Sequence, residues 1–396
     1  MQLSVIWLLP FIFIFSPVVR AIETSTINSS VRALGMGDAF TAVANDDSSL
    51  FYNPAGLARV RGLNLKIFDL DAGVSGVTAY KNLAALKGAT AGAGFANNIQ
   101  ALYGQHVWTG VGGESIFTMP MFGVGAYDHL SSLIRINNPV YPSLHTRIIN
   151  DFGYVMGIGV PIAPVFHLGI DLRYIKRTGA DSTFGPSFIA DLNPNTITSN
   201  LTGWGTGYGA DLGATAILPT PIFSAVLSAV WKNIGQIQYR SNNGTVLPSD
   251  DNNITLGSAF TFDTPIVSLT PALDFTNINN PDMQLTRKIN FGIEISLPLL
   301  DIRGGFHEGY YTAGLGVNLG LFRVDAATYG VELGDYPGQI EDRRYALQFT
   351  MQLGVGNFSA SADGKKGTAG AAAGAGAGRE NSSHSIWGGQ RLKQRR

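Results

Sequence analysis

From about residue 205 to residue 355, large apolar residues alternate with small or polar ones. Tyr345, Leu347, Phe349, Met351 and Leu353, for instance, are separated by Ala346, Gln348, Thr350 and Gln352. A period of two is that of a β-strand wet on one face and oily on the other. Segments of this kind lie near 62–71, 115–127, 129–136, 149–160, 165–176, 205–218, 223–232, 254–263, 266–276, 286–297, 300–306, 311–319, 321–331 and 343–355, fourteen in all. Single-chain barrels of the bacterial outer membrane have an even number of strands. A soluble sandwich shows the same period, so the connections have to decide.

Tight links at 161–164, 219–221, 263–265, 298–299 and Gly320 carry Gly or Pro, whose φ preferences suit sharp turns. Between them run the long polar stretches 177–204, 233–253, 277–285 and 332–342. From the fourth segment onward short and long alternate, apart from the brief His307–Gly309 link on a long-loop side. Outer-membrane barrels do this, with short periplasmic turns and long extracellular loops, whereas a Greek-key sandwich has no reason to. The faces agree. Asp171, Arg173, Asp211, Asp274, Glu294, Asp301, Arg303, Arg323 and Asp325 all fall on the phase opposite the oily one. They read as lumen charges, since a Lys or Arg facing lipid at mid-bilayer would cost about 2–4 kcal/mol. Salt-bridge ladders, Arg303 with Asp301 or Asp325 for example, are the natural use of such charges. Trp204, Tyr208, Tyr239, Tyr310, Tyr311 and Tyr345 cluster at the long-loop ends, where an aromatic girdle is expected.

Composition adds to this picture. Only 14% of residues are charged and 49 are glycine, while the 396-residue chain has no apolar run after its N-terminus long enough for a membrane helix. The formal net charge of −1 gives no case for nucleic acid. With no cysteine, disulfide and thiolate chemistry are excluded. Six scattered His residues lack metal-ligand spacing, and no nucleophile elbow, dinucleotide frame or Walker frame is present. Neither an enzyme, a metal nor a cofactor is expected.

The first 21 residues read as a secretory signal, with Val5 to Phe15 as apolar core and Val19-Arg20-Ala21 as cleavage site. Ala79, Leu83 and Leu86 suggest a short amphipathic helix within 77–106, with Lys81 and Lys87 off its face. Residues 359–396 form a Gly/Ala-rich basic tail that is expected to be disordered.

Between signal and first strand stands Val31-Arg32-Ala33-Leu34-Gly35-Met36-Gly37-Asp38-Ala39-Phe40, followed by Leu50-Phe51-Tyr52-Asn53-Pro54-Ala55-Gly56. Gly35 and Gly37 permit close backbone approach, residues 38–44 read as a helical turn or two, and Asn53 can cap a turn that Pro54 fixes. Such a small-residue segment could pack inside a barrel.

The Tyr52-Asn53-Pro54-Ala55-Gly56 run resembles the N-terminal hatch of the FadL/OmpP1/TodX superfamily of outer-membrane transporters. That resemblance implies an all-β transmembrane antiparallel barrel of about 14 strands at 62–358. It also implies a lumen plugged by residues 22–61 and both mature termini in the periplasm. The surroundings would be outer-membrane lipid, and the ligand a hydrophobic small molecule, fatty-acid-like or aromatic, taken up passively. By motif, only Asn53, Pro54 and Ala55 carry over as hatch residues. The Gly35-Met36-Gly37 and Phe40 variant, with Asp301-Ile302-Arg303-Gly304-Gly305-Phe306 and Ala313-Gly314-Leu315-Gly316, is similar to the PorV-type branch. Its members imply an alternative, a docking or secretion-shuttle barrel binding a protein partner through loops 177–204 and 233–253.

Overall fold

The computed structural model describes residues 30–75, 106–137, 143–185, 203–242, 247–334 and 336–356. The expected signal and basic tail lie outside these, as does the helix expected within 77–106 except for His106.

The chain forms β1 (Leu63–Ser75), β2 (His106–Met119), β3 (Phe122–Asn137), β4 (Ser143–Ala163), β5 (Phe166–Phe184), β6 (Trp204–Pro219) and β7 (Ser224–Lys232). A two-residue β8 (Arg240–Ser241) follows, then β9 (Asn253–Asp263), β10 (Ser268–Phe275), β11 (Ile289–Ser296) and β12 (Leu300–His307). The last are β13 (Tyr310–Asn318), β14 (Phe322–Glu332) and β15 (Glu341–Val355). All strands but β8 pair with their neighbours in an antiparallel ring. The seam between first and last strands runs from Leu63↔Val355 to Ser75↔Arg344. The remaining junction, β5 with β6, runs from Phe166↔Ala216 to Thr178↔Trp204. The result is a closed 14-strand barrel, the form in which strand backbone can lie in hydrocarbon.

Alternation becomes sidedness. Leu347 is 55% exposed on the outside, while neighbouring Gln348 is 7% exposed and points inward. Leu70, Leu168, Leu172, Leu212, Leu227, Leu273, Ile302 and Leu315 continue the outer apolar belt. A soluble monomer exposes no apolar surface of this extent, so the belt is read as the lipid-facing exterior of a membrane-spanning barrel. All nine strand charges singled out by sequence phase lie inside. No helix among the described residues is long and apolar enough to cross a membrane.

Several boundaries differ from expectation. The break placed at residue 128 is absent: β3 runs through it, and the turn lies at Pro120–Met121. Met121 takes φ +74° there, with its N–H donated to the Leu57 carbonyl. Strand β5 continues to Phe184, so residues 177–184 are strand and not loop. Of the expected girdle, Trp204, Tyr208, Tyr311 and Tyr345 do face outward. Tyr239 turns into the lumen, and Tyr310 bonds to Glu332 on the inner phase.

Leu347→Arg at mid-strand should lower barrel stability by about 2–4 kcal/mol in lipid. A lumen-side Thr350→Ala should cost less, and urea titration in vesicles measures both.

Candidate functional site

The barrel interior is occupied by residues 30–60, nearly all buried. Helix α1 (Val31–Gly35) begins at Ser30, whose hydroxyl accepts the Arg32 N–H. It packs on β12 to β15. Of the one or two helical turns expected at 38–44 a single one forms, closed by the Ala44 N–H on the Phe40 carbonyl at 3.0 Å; before it Gly37 and Asp38 take φ +64° and +59° and lead the chain away from α1 as an irregular strip. A one-turn α2 (Ser49–Tyr52) and a 3-10 helix (Pro54–Arg59) follow, the latter against β3 to β6. Asn53 caps it as expected: its Oδ1 accepts the Ala55 N–H at 3.1 Å.

This strip can lie on the wall because the wall is glycine where they meet. A β-carbon on Gly169 would overlap the Pro54–Ala55 peptide, and one on Gly213 the Asn53 side chain and Ala55 nitrogen. Gly292 and Gly305 accommodate Met36, and Gly314 faces Gly35. Gly37 in turn lies against the carbonyls of Phe291 and Phe306. Much of the chain's glycine thus marks where backbone meets backbone. Gly56 plays the same part within the segment, against the Ala44 carbonyl. Phe40 is fully buried, its ring 5.1 Å from that of Tyr52, whose hydroxyl donates to Asp38 at 2.7 Å.

Polar anchors fix the strip. Asn53 Nδ2 donates to the Thr41 carbonyl at 3.0 Å and to Thr215 Oγ1 on β6 at 2.9 Å. Asp274 on β10 accepts the Phe40 and Thr41 N–H groups at 3.0 and 2.9 Å. Gln348 accepts the Val31 N–H and donates to Asp69. Arg32 grips Glu294 through Nε and Nη2, at 2.9 and 2.8 Å, and reaches Asp46 with Nη1.

The nine strand charges sort into three places. Glu294, Asp301, Arg303, Arg323 and Asp325 form one lattice. In it Arg303 meets Glu294 at 2.7 Å, Asp301 at 3.0 Å and Asp325 at 2.7 Å, more partners than either pairing expected from sequence. Asp171, Arg173 and Asp211 form a second group, with Arg173 on Asp211 and 3.6 Å from Asp171. Asp274 stands apart, holding the strip.

Sequence phase missed two further groups. Lys66 contacts Asp47, Asp69 and Glu114. A register shift between Lys66 and Phe68 turns Asp69 inward, so simple alternation hides it. Nearer the long loops Arg177, wholly buried, clasps Asp151 through two nitrogens at 2.7 and 2.6 Å. It also bonds Asp250 and the Pro248 carbonyl. Its guanidinium stacks 4.1 Å from the centre of the Tyr239 ring. Burial pushes the Tyr239 phenol well above its ordinary pKa despite Arg177, helped by the Asp250 and Asp151 carboxylates. Tyr239 therefore remains a donor to Asp250 across the physiological range.

Beside the strip lies a small open cavity, lined among others by Arg32, Asp46, Asp47, Lys66, Asp69, Glu114, Arg323 and Asp325. Its walls are polar, suited to water and ions. Apolar side chains gather nearer the long loops, where residues 233–242 and 247–252 fold inward. There Ile237 and Tyr239 lie over Gly207, and Leu247 lies over Gly205.

No family model matches the chain, and no curated protein does. Solved barrels resemble it distantly. The toluene transporter TbuX of Ralstonia pickettii is 11% identical over 83% of this chain and 98% of its own, with a TM-score of 0.46. A deletion mutant of the TodX monoaromatic hydrocarbon channel is 10% identical over 82% and 98%, also at 0.46. A Pseudomonas aeruginosa FadL homologue is 13% identical over 84% and 99%, at 0.30. At these values the likeness assigns neither family nor substrate.

Gly169→Ala should displace residues 53–55, destabilising the strip by about 1–3 kcal/mol through overpacking. Faster protease cleavage within 30–60, with the heat-modifiable gel mobility of a folded barrel retained, would show it. Arg303→Ala should cost about 3–5 kcal/mol by leaving buried carboxylates uncompensated, a loss that denaturant titration reads directly.

Proposed function

We propose that the protein is a bacterial outer-membrane barrel for passive uptake of hydrophobic small molecules, fatty-acid-like or aromatic, with residues 30–60 as the plug that bars hydrophilic solutes. The observation carrying this reading is a break in the wall. Strand β6 pairs with β7 only between Leu212 and Pro219. Above that, on the side away from β5, Gly205 and Thr206 pair with the two-residue β8, and Ala210 accepts a bond from Ile234. The inward-folded loop, with Ile237, Tyr239 and Leu247, stands where a longer β7 would have continued the sheet.

The apolar side chains at this break, Ile237, Tyr239 and Leu247, are buried, so an apolar solute arriving from the long-loop side reaches them as the loop gives way, and meets charged surface around the cavity below. Each methylene transferred from water is worth about 0.8 kcal/mol, so a medium-length chain reaches micromolar affinity without further chemistry. The charged lattice offers no such gain, which makes release sideways, through the break as the loop gives way, the favoured course. Partition supplies the driving force, and no coupled energy source is needed.

Cells lacking the protein should lose uptake of radiolabelled medium-chain fatty acids or monoaromatic hydrocarbons, and the wild-type gene should restore it. Ile237→Asp, charging the oily surface, should lower uptake at least severalfold. Unchanged uptake in the deletion strain would sink the reading. A stoichiometric protein recovered on the extracellular loops from detergent extracts, in place of small apolar ligands, would favour the docking alternative.

A further inference from the structure

Between the strands they join, the six short turns carry no charge, the nearest carboxylate being that of Asp263 at the last position of β9. They are Met119-Pro120-Met121-Phe122, Pro161-Ile162-Ala163-Pro164-Val165, Thr220-Pro221-Ile222-Phe223, Thr264-Pro265-Ile266-Val267, Leu297-Pro298-Leu299-Leu300 and Leu319-Gly320-Leu321-Phe322. Their only polar side chains are Thr220 and Thr264. Turns that project into water usually carry Asn, Asp and Ser. Here the tips are large, apolar and open: Ile222 is 78% exposed, Ile266 65% and Leu319 63%.

The two Thr-Pro-Ile turns also consume their own polar groups. Thr220 N–H donates to the Phe223 carbonyl at 3.0 Å, and the Phe223 N–H donates to Thr220 Oγ1 at 3.0 Å. The Thr220 hydroxyl donates back to the Phe223 carbonyl at 2.6 Å. Thr264 and Val267 repeat the three bonds at 2.9, 3.0 and 2.7 Å. Pro221 and Pro265 have no N–H to satisfy. Each turn therefore satisfies its threonine hydroxyl and the N–H groups at both of its ends within itself. Such economy matters where water is absent.

Strand length supplies a third reason. Strands β10, β11 and β12 have 8 residues each, and β7 and β13 have 9. At about 3.3 Å per residue and a tilt near 40°, 8 residues rise about 20 Å, short of the roughly 25 Å apolar band of such barrels. The turns adjoining these strands are the ones tipped by Ile222, Ile266, Leu299 and Leu319.

We infer that the short turns are membrane-embedded: their apolar tips continue the outer belt into the acyl region of the leaflet at that end, completing the hydrophobic height where the strands fall short. The partner is lipid acyl chain, on a surface continuous with the belt. The inference rests on the membrane-barrel reading, not on the identity of any transported molecule.

The chain has no cysteine, so single substitutions give unambiguous labels. Nitroxides would be placed by Ile222→Cys, Ile266→Cys and Leu319→Cys in the full-length protein in phospholipid bilayers. Leu227→Cys serves as the mid-belt control and Tyr336→Cys as the long-loop rim control, with folding of each variant checked by heat-modifiable gel mobility. Labels at the three tips should relax with oxygen as strongly as the label at 227 and be shielded from an aqueous nickel chelate. Chelate access equal to that at 336, with 227 still in lipid, would overturn the inference while leaving the membrane barrel intact. Shielding from both reagents would overturn it in favour of a protein covering the turns. Chelate access at 227 as well would remove the membrane reading itself.

Discussion

A peptide group in hydrocarbon has no water to bond with, and this governs the molecule from the strand to the site. The strands must pair all the way round, so β1 finds β15 and β5 finds β6. Once the ring is closed, parity commits each residue of a regular strand to one of two environments, and only a bulge such as that after Lys66 shifts the phase. Oily residues go out, and Asp171, Asp211, Glu294 and Asp325 go in. An interior so made has a fixed girth and a surplus of carboxylates. What fills it must have little bulk at the points of contact and must bring positive charge or N–H donors. The strip of residues 30–60 meets both demands, through its small residues and through Arg32 and the amides of Val31, Phe40 and Thr41.

The glycines and the buried charges are thus two answers to one problem. Glycine lets the strip's backbone approach the wall at Gly169, Gly213, Gly292 and Gly314. The charges hold it at the right height. Arg303 is shared among three carboxylates, one of which also receives Arg32, so the wall lattice and the strip are a single electrostatic unit. A buried ion pair contributes little net stability relative to apolar packing, but losing one member is costly. The lattice therefore specifies where the strip sits more than it strengthens the barrel.

Much of this was legible in the sequence where one rule applied at a time. Period two located the strands from β4 onward, and parity placed all nine strand charges inside. Asn53 and Pro54 announced their own turn. Legibility failed where two rules met. Strands β2 and β3 are rich in glycine, so their alternation is faint and points to a turn at Asp128, where the chain instead turns at Pro120–Met121. Asp69 was hidden by a bulge, and Arg177 by a strand that outruns the expected belt. Tyr239 looked like a girdle residue because nothing local reveals that its loop folds inward to meet Arg177. The helical turns expected at 38–44 shrink to the one closed by Ala44 on Phe40, because left-handed backbone at Gly37 and Asp38 bends the chain just before it.

The bond from Val31 to Gln348 joins residues 317 positions apart, and the seam between β1 and β15 spans nearly as far. Contacts so remote in sequence cannot form until almost the whole chain has been delivered. Seating the strip and zipping the seam are consequently events of the same late moment, since β1 follows directly after the strip and Gln348 belongs to the strand that zips against it. A barrel of this design passes through assembly as an open, unfilled sheet, exposed to wrong partners until the last strand arrives.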